Sequence, residues 1–316
     1  MACIDVVVPC YQYGRFLRDC VYSILNQGID DLRILIIDNA STDDSLIVAR
    51  QLAEEDRRIE IIQHKHNLGH IASLNEGVDL AHADYFTIVH ADDLSARGSL
   101  KAAIAFLEQH PNVGFVIGKE VLFKDGEIFS EFSKDKEPQW RIFSGPEFVA
   151  DRCRKLFAGP AIVRTAIQKR AGYYKEKLFF TCDIEMLLRL ATFGDVGETL
   201  MPFGYRRLHG SNLANLHQVD RARDLQEFEA AYVSFFENEG SLLAKTTQLD
   251  QVARDNLVGS AYWWGLRDLT KGKLHTGKRL LSFAFARSKK ILILPPIGFL
   301  ISNFLSRRPK QVFPDT

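Results

Sequence analysis

Asp92 and Asp93 close the run YFTIVHADD, a mostly apolar stretch that ends in two adjacent carboxylates. Paired carboxylates suit a hard divalent cation, which takes oxygen ligands, keeps part of its water shell and tolerates an anionic ligand on its open side. Other polar residues follow apolar runs in the same way. Pro9, Cys10 and Tyr11 close IDVVVPCY, Asp38 and Asn39 close LRILIIDN, and Asn67 and Gly69 lie just after RIEIIQH. Four successive apolar runs thus each end in residues able to bind something.

Such runs converge only if they are strands. IDVVVP, LRILIID, RIEIIQH and YFTIVHA are short, rich in β-branched residues and nearly continuous in hydrophobicity. Between and after them, GRFLRDCVYSIL, DDSLIVARQLAEED, HIASLNEGVDLA and RGSLKAAIAFLEQH are amphipathic helical stretches. This alternation predicts a doubly wound α/β fold with a mostly parallel sheet covered on both faces. Ligands of such sheets bind beyond the carboxyl ends of the strands, where the residues above fall. No G-x-G-x-x-G follows the first strand and no G-x-x-x-x-G-K-[ST] occurs, against a dinucleotide enzyme and a P-loop NTPase. Further on, VGFVIGKEVLF and DGEIFSEF flank an Asp125-Gly126 hairpin turn. SGPEFVADRCRKLF reads as a helix, and another runs from Ile184 to Ala191 and stops by Gly194.

The 316 residues are 46% hydrophobic and 25% charged, the composition of a soluble globular protein. The five cysteines form neither a C-x-x-C pair nor a zinc-ligand spacing, and MACIDVVVPC lacks the features of a signal peptide; both point to the cytoplasm. The 40 basic and 40 acidic residues cancel, yet ten Lys or Arg and no Asp or Glu lie between Lys271 and Pro314. In that span the unbroken apolar part of ILILPPIGFLISNFL falls short of the roughly 20 residues of a spanning helix. The basic span reads in two ways: as a surface lying on anionic lipid, or as a helix pair packed on protein through its apolar face. No nucleic-acid recognition motif accompanies the charge.

VVVPCYQYGRFLRDCVYSILNQ, IIDNASTDDS, HNLGHIASLNEG, FTIVHADD and FFTCDIEMLLRLATFG resemble, in order, the successive motifs of family 2 of the inverting glycosyltransferases. The resemblance implies a GT-A fold, a nucleotide-diphosphate sugar as donor with UDP favoured, and manganese or magnesium as cofactor. It further implies a saccharide or polyprenyl-linked glycan as acceptor, in polysaccharide biosynthesis of the cell envelope. By resemblance Asp93 faces the metal, and Asp92 contacts the donor ribose or reaches the metal through water. Pro9 and Tyr11 join Asp38 at the base, where the ring can stack and the carboxylate can accept an imide N–H. Asn67 and Gly69 shape a turn beside the nucleotide, with Asn75 on the helix that follows. Asp183 matches the base that deprotonates the acceptor hydroxyl. YRRLHGSNL resembles the closing motif of the catalytic domain, in which Arg206 and Arg207 would neutralise phosphate and His209 would complete the metal shell.

Several residues admit a second reading. His90 stands where many members have a third acid, and its imidazole could bind manganese or point into the sheet. Asp93 or Ser95 could cap the next helix, and Asp38 could start an Asx turn, although Ser41 and Thr42 are at hand to cap there. Cys182 replaces an acid usual in the family, and Glu185 is a rival base. A helix turns about 100° per residue, so Asp183 and Glu185 face different ways, and Asp183 is favoured because it precedes the helix body. A boundary near Val219 divides a catalytic domain, 1–219, from a helical region, 220–316. The rival functions are a nucleotidyltransferase and a catalytically inactive nucleotide-sugar-binding scaffold. A cytoplasmic enzyme, or one peripheral on the inner face of the plasma membrane, fits the whole pattern.

Overall fold

The structure is a computed structural model and describes residues 3–126, 138–156, 159–210, 212, 221–292 and 295–296. The chain divides into two compact units, Met1–Val149 with Phe157–Asn212, and Ala150–Leu156 with Leu213–Thr316.

The first unit opens with four parallel strands, β1 (Ile4–Cys10), β2 (Leu32–Asp38), β3 (Ile59–Gln63) and β4 (Tyr85–Ile88), in the order β3-β2-β1-β4. Helices α1 (Gly14–Leu25), α2 (Ser45–Glu55) and α3 (His70–Leu80) connect them, and α4 (Ser99–Gln109) follows. Side chains alternate across the sheet. Val6, Val8, Ile34 and Ile36 join Leu17, Val21 and Ile24 of α1 on one face; Val7, Leu35, Ile37 and Phe86 join Val78 of α3 on the other. Two covered faces explain why every residue of β1 is buried, and each such Val or Ile contributes about 1.5–3 kcal/mol. The one acid buried within β1, Asp5, is matched by Arg33 Nε at 2.8 Å and Nη2 at 3.0 Å, and by the N–H groups of His82 and Ala83 at 2.7 and 2.9 Å.

The rest of the sheet is mixed. It contains β5 (Leu94–Ser95), β6 (Val113–Lys124), β7 (Trp140–Phe143), β8 (Ala161–Arg164) and β9 (Asp195–Leu208), with the order continuing β4-β8-β6-β9-β5 and β7 also on β9. β8 runs antiparallel to both β4 and β6, β6 and β9 are parallel, and β5 and β7 are antiparallel to β9. Helices α5 (Gly145–Arg152), α6 (Thr165–Ala171) and α7 (Cys182–Leu190) complete the set. The second arm of the hairpin expected after Gly126 lies outside the described residues.

The second unit is helical, with α8 (Arg221–Glu237), α9 (Thr246–Thr270) and α10 (Leu274–Arg287). α9 and α10 meet closely at two glycines: a Cβ on Gly277 would stand 3.0 Å from the Gly265 carbonyl oxygen. α10 buries Gly277, Leu280, Phe283 and Ala284, Arg287 pairs with Glu229 of α8, and Lys273, Lys278 and Arg279 face solvent. The apolar face of this basic helix is therefore covered within its own unit. Among the described residues no helix is long and apolar enough to cross a membrane; most of ILILPPIGFLISNFL lies outside them.

Candidate active site

The carboxyl ends of β1 and β2 form the first wall. Pairing of β1 with β4 stops at Val7 opposite Ile88, just before Pro9, which has no N–H to extend the ladder. Pro9 is buried inside β1, and Tyr11, the first residue beyond the strand, is 43% exposed. Gln12 and Ala40 both take left-handed backbone, at φ 61° and 60°, a conformation that costs non-glycine residues about 1–3 kcal/mol and gathers at functional sites. The two loops hold each other there. Gln12 N–H donates to Ser41 Oγ at 3.1 Å, Gln12 Nε2 to Thr42 Oγ1 at 2.8 Å, and Asp43 N–H to Gln12 Oε1 at 3.0 Å. Ser41 and Thr42 thus bond a neighbouring loop instead of capping α2. Asp38 is 1% exposed; its Oδ2 accepts the Ser41 N–H at 3.3 Å, three residues on instead of the two of an Asx turn, while its buried Oδ1 has no hydrogen-bond partner among the described residues. An orphaned buried oxygen is a cost that a ligand donor can relieve. Next to it, Asn39 Nδ2 donates to Asn67 Oδ1 at 3.0 Å, and Gly69 adopts φ 90° at the start of α3, a conformation suited to glycine.

The acid pair lies in the turn after β4. Neither Asp93 nor Ser95 caps a helix, because β5 intervenes and α4 begins after Gly98, itself left-handed at φ 73°. Asp93 Oδ1 accepts the Arg207 N–H at 3.0 Å, and Asp92 Oδ2 lies 3.1 Å from His209 Nε2 and 3.2 Å from Asn212 Nδ2. The Tyr13 hydroxyl also bonds Asp92. Burial, and then the neighbouring Asp92 carboxylate, push the Asp93 carboxyl well above the usual carboxylate range. Arg207 does not offset that charge with its guanidinium, which reaches Asp19 at 3.2 Å, Asp125 at 3.1 Å and the Asp92 carbonyl oxygen at 3.2 Å. Arg206 is partly buried, its Nε 3.4 Å from Glu120, and its charge offsets only a small part of the upward push on Asp93.

An acid pair short of positive charge fits a divalent cation. Among the described residues no three acids, histidines or cysteines converge on one point, so Asp92 and Asp93 would leave the remaining positions to water and diphosphate oxygens, as magnesium and manganese accept. His209 packs edge-on to Tyr13 at 5.5 Å and against Phe16 at 4.5 Å, directed at Asp92. His90 does not point into the sheet: it is exposed, its ring 5.2 Å from that of His70, which in turn lies 6.1 Å from Phe179.

Asp183 occupies the second position of α7, behind Thr181 at the cap. Its Oδ1 accepts the Ile184 N–H at 2.8 Å, so it does meet the helix start. The residue is nevertheless exposed. Crowding by protein, with a smaller push from Glu120, raises its pKa to about 6, a value suited to accepting a proton near neutrality. Glu185 faces the other way. It is fully buried between Lys175 at 2.8 Å and Arg189 at 2.6 Å, and Arg189 also donates to the carbonyl oxygens of Ala171 and Tyr173. That ion cluster fixes α7 to the chain before it. Asn75 ties in the same segment by exchanging hydrogen bonds with the Tyr174 backbone at 2.7 and 3.0 Å, a structural task. Tyr13, His70 and Asn212 stand inside the quoted motifs with no role read for them, and Glu120 stands outside those motifs.

Residues 5–156 match the family model described as Glycosyl transferase family 2. An uncharacterised glycosyltransferase of Haemophilus influenzae is 25% identical over 249 residues, 75% of each chain. A GalNAc(5)-diNAcBac-PP-undecaprenol beta-1,3-glucosyltransferase of Campylobacter jejuni is 31% identical over 153 residues, 46% of this chain and 48% of that one. Among solved structures, S. aureus TarS 1-349 in complex with UDP-GlcNAc superposes with a TM-score of 0.66 at 18% identity, covering 95% of this chain and 87% of that one. Family motif and shared fold agree: residues 5–156 carry a glycosyl transferase family 2 domain, on a fold of the GT-A type.

Proposed function

We propose that the protein transfers a sugar, with inversion, from a UDP-linked donor to a hydroxyl of a saccharide or polyprenyl-linked glycan, with manganese or magnesium held at Asp92 and Asp93. The observation that carries this reading is the charge imbalance at Asp92–Asp93 on the same rim as a carboxylate poised near 6. Bound there, the cation would offset charge on the departing nucleoside diphosphate. The chain's own groups do the rest. Asp38 Oδ1 accepts the imide N–H of the base, Tyr11 offers a ring face to it, and the turn at Asn67–Gly69 borders the nucleotide. Asp183 takes the proton of the acceptor hydroxyl while that oxygen bonds the anomeric carbon, and the bond from that carbon to the diphosphate oxygen breaks on the opposite face. Arg206, whose charge acts on Asp93, would neutralise phosphate.

UDP as the nucleotide is supported by the UDP-GlcNAc held by TarS, and a lipid-linked acceptor by the name of the Campylobacter enzyme. A lipid-borne acceptor would also give the basic span a use. Lys278 and Arg279, with Lys273 just before the helix, are exposed where the apolar side of α10 is covered, so attraction to the anionic inner face of the plasma membrane would be electrostatic, at about 1 kcal/mol per cation. Flotation with vesicles containing phosphatidylglycerol at low salt tests this part, and failure to float removes it. The central reading is tested by thermal shift with UDP-, dTDP- and GDP-linked sugars, with and without manganese, on wild type and Asp93→Ala. A shift that needs both metal and Asp93 is the expected result; no shift with any donor rejects it.

A further inference from the structure

Beside the base end of the site lies a chain of polar groups that the transfer chemistry does not use. His64 follows β3 and is buried, and both of its ring nitrogens are engaged. Nδ1 lies 2.9 Å from Asn39 Oδ1, and Nε2 bonds Glu76 Oε2 on α3. Asn39 Oδ1 also accepts the Leu68 N–H at 2.8 Å, Asn39 Nδ2 donates to Asn67 Oδ1 at 3.0 Å, and Asn67 Oδ1 accepts the Gly69 N–H at 2.9 Å. The directions of these bonds follow from the donors. A backbone N–H can only donate, so the oxygen of Asn39 must face Leu68. His64 Nδ1, which meets that same oxygen, must then carry a hydrogen, while Nε2 is held by Glu76. Reversing the Asn39 amide would set its NH2 against two N–H donors.

The turn at 67–69 has little else to hold it. Leu68 is 61% exposed and Gly69 sits at φ 90°, so the turn lacks an apolar anchor and depends on the Asn39 carboxamide. Asn39 in turn follows Asp38, whose carbonyl accepts the His64 N–H at 2.9 Å, while the Asn39 N–H bonds the Cys10 carbonyl at 2.9 Å. One buried cluster thus sets the strand end that carries Asp38 and the turn facing it.

We infer that His64 and Glu76 are positioning residues for the donor: they lock Asn39 in the single orientation that holds the 67–69 turn beside Asp38. The inference rests on the donor reading above. It predicts that removing the Nδ1 donor loosens nucleotide binding and leaves the chemical step alone.

The probe is UDP with manganese chloride, its Kd read by calorimetry, with donor KM and kcat read as UDP release from the sugar nucleotide that stabilises the wild type. His64→Leu should weaken UDP about tenfold, the effect of one lost hydrogen bond to a clamped group, and raise donor KM with kcat within about twofold. His64→Asn places an amide N–H where Nδ1 stands and should restore most of the affinity; a merely structural role would not show that rescue or that split. Should His64→Leu fail to fold, Glu76→Leu decides, since its side chain is 36% exposed, with a smaller loss of UDP affinity expected. Folded variants that bind UDP like the wild type overturn the inference and leave the donor reading intact. A wild type that binds no UDP removes the donor reading, and the inference falls with it.

Discussion

Asp5 and Asp93 stand at opposite ends of the same layer of parallel strands, both crowded by protein. Burial alone would raise the Asp5 carboxyl, but Arg33 and the N–H groups of Ala83 and His82 outweigh it and hold the group below the usual carboxylate range. Among the described residues Asp93 accepts one hydrogen bond, faces a second carboxylate and is pushed the other way. An acid that the chain itself has fully partnered locks the sheet; an acid left short of positive charge marks where something else must arrive. The contrast separates structure from function more sharply than residue type does, since the side chains are identical.

The largest expected effect lies on the rim, at Asp183. Asp183→Asn should lower kcat about 10²- to 10⁴-fold, the range for losing a general base, with donor affinity kept. In wild type, kcat/KM should rise tenfold per pH unit up to about 6 and level above it, because the carboxylate must be ionised to accept a proton. A profile flat from pH 5 to 8 would remove Asp183 from that role.

Next comes Asp5→Asn, which takes the bidentate carboxylate from the largely buried Arg33, leaves it the more exposed Glu60 at 3.3 Å, and should cost up to about 3–5 kcal/mol. For a unit of this size that is a fall in Tm of roughly 2–4 °C per kcal/mol, with KM and kcat unchanged in the folded fraction. The sign with pH follows. Its folded pKa is lowered, so the stability Asp5 confers is present above the unfolded value of 3.8 and fades as pH drops through the folded one. Asp93→Asn should do the reverse. Activity falls about 10²- to 10³-fold, yet in chelator at pH 7 the variant melts above wild type, because the folded chain holds that proton more tightly than the unfolded chain and ionisation at neutral pH works against folding. A lower Tm for Asp93→Asn in chelator would break the comparison.

Legibility follows the same division of the sheet. β1 to β4 and their helices repeat one pattern, so periodicity alone located them and the rim. Beyond β4 the signals are weaker for physical reasons. β5 is two residues long, and β9 runs through Gly197, Pro202 and Gly204 beside a partner with shifts of register, so no alternation survives to be read. The partners of Asp92 suffered most. His209 and Asn212 reach it only because β9 returns to pair with β5, a long-range event that spacing does not encode. The capping readings of Asp93 and Ser95 failed for want of that two-residue strand. Glu185 was separable from Asp183 by helical angle, but its burial against Arg189 and Lys175 was not visible until the chain folded.

The smallest effect tests whether the contrast extends from charge to hydrogen bonding. Asp38 Oδ1 is buried without a donor among the described residues, a local deficit of the kind that Asp93 shows for charge. Asp38→Asn offers the base an amide in place of two equivalent acceptor oxygens, and with its NH2 turned toward the base it would oppose the imide N–H. UDP should bind about tenfold more weakly, the magnitude of one hydrogen bond to a charged group, while kcat at saturating donor stays near wild type because no bond is made or broken there. CDP, whose ring nitrogen at that position accepts instead of donating, should lose its disadvantage against UDP in this variant. If Asp38→Asn binds UDP as tightly as the wild type and still rejects CDP, the orphaned oxygen is not a base-recognition group, and the parallel with Asp93 ends at the acid pair.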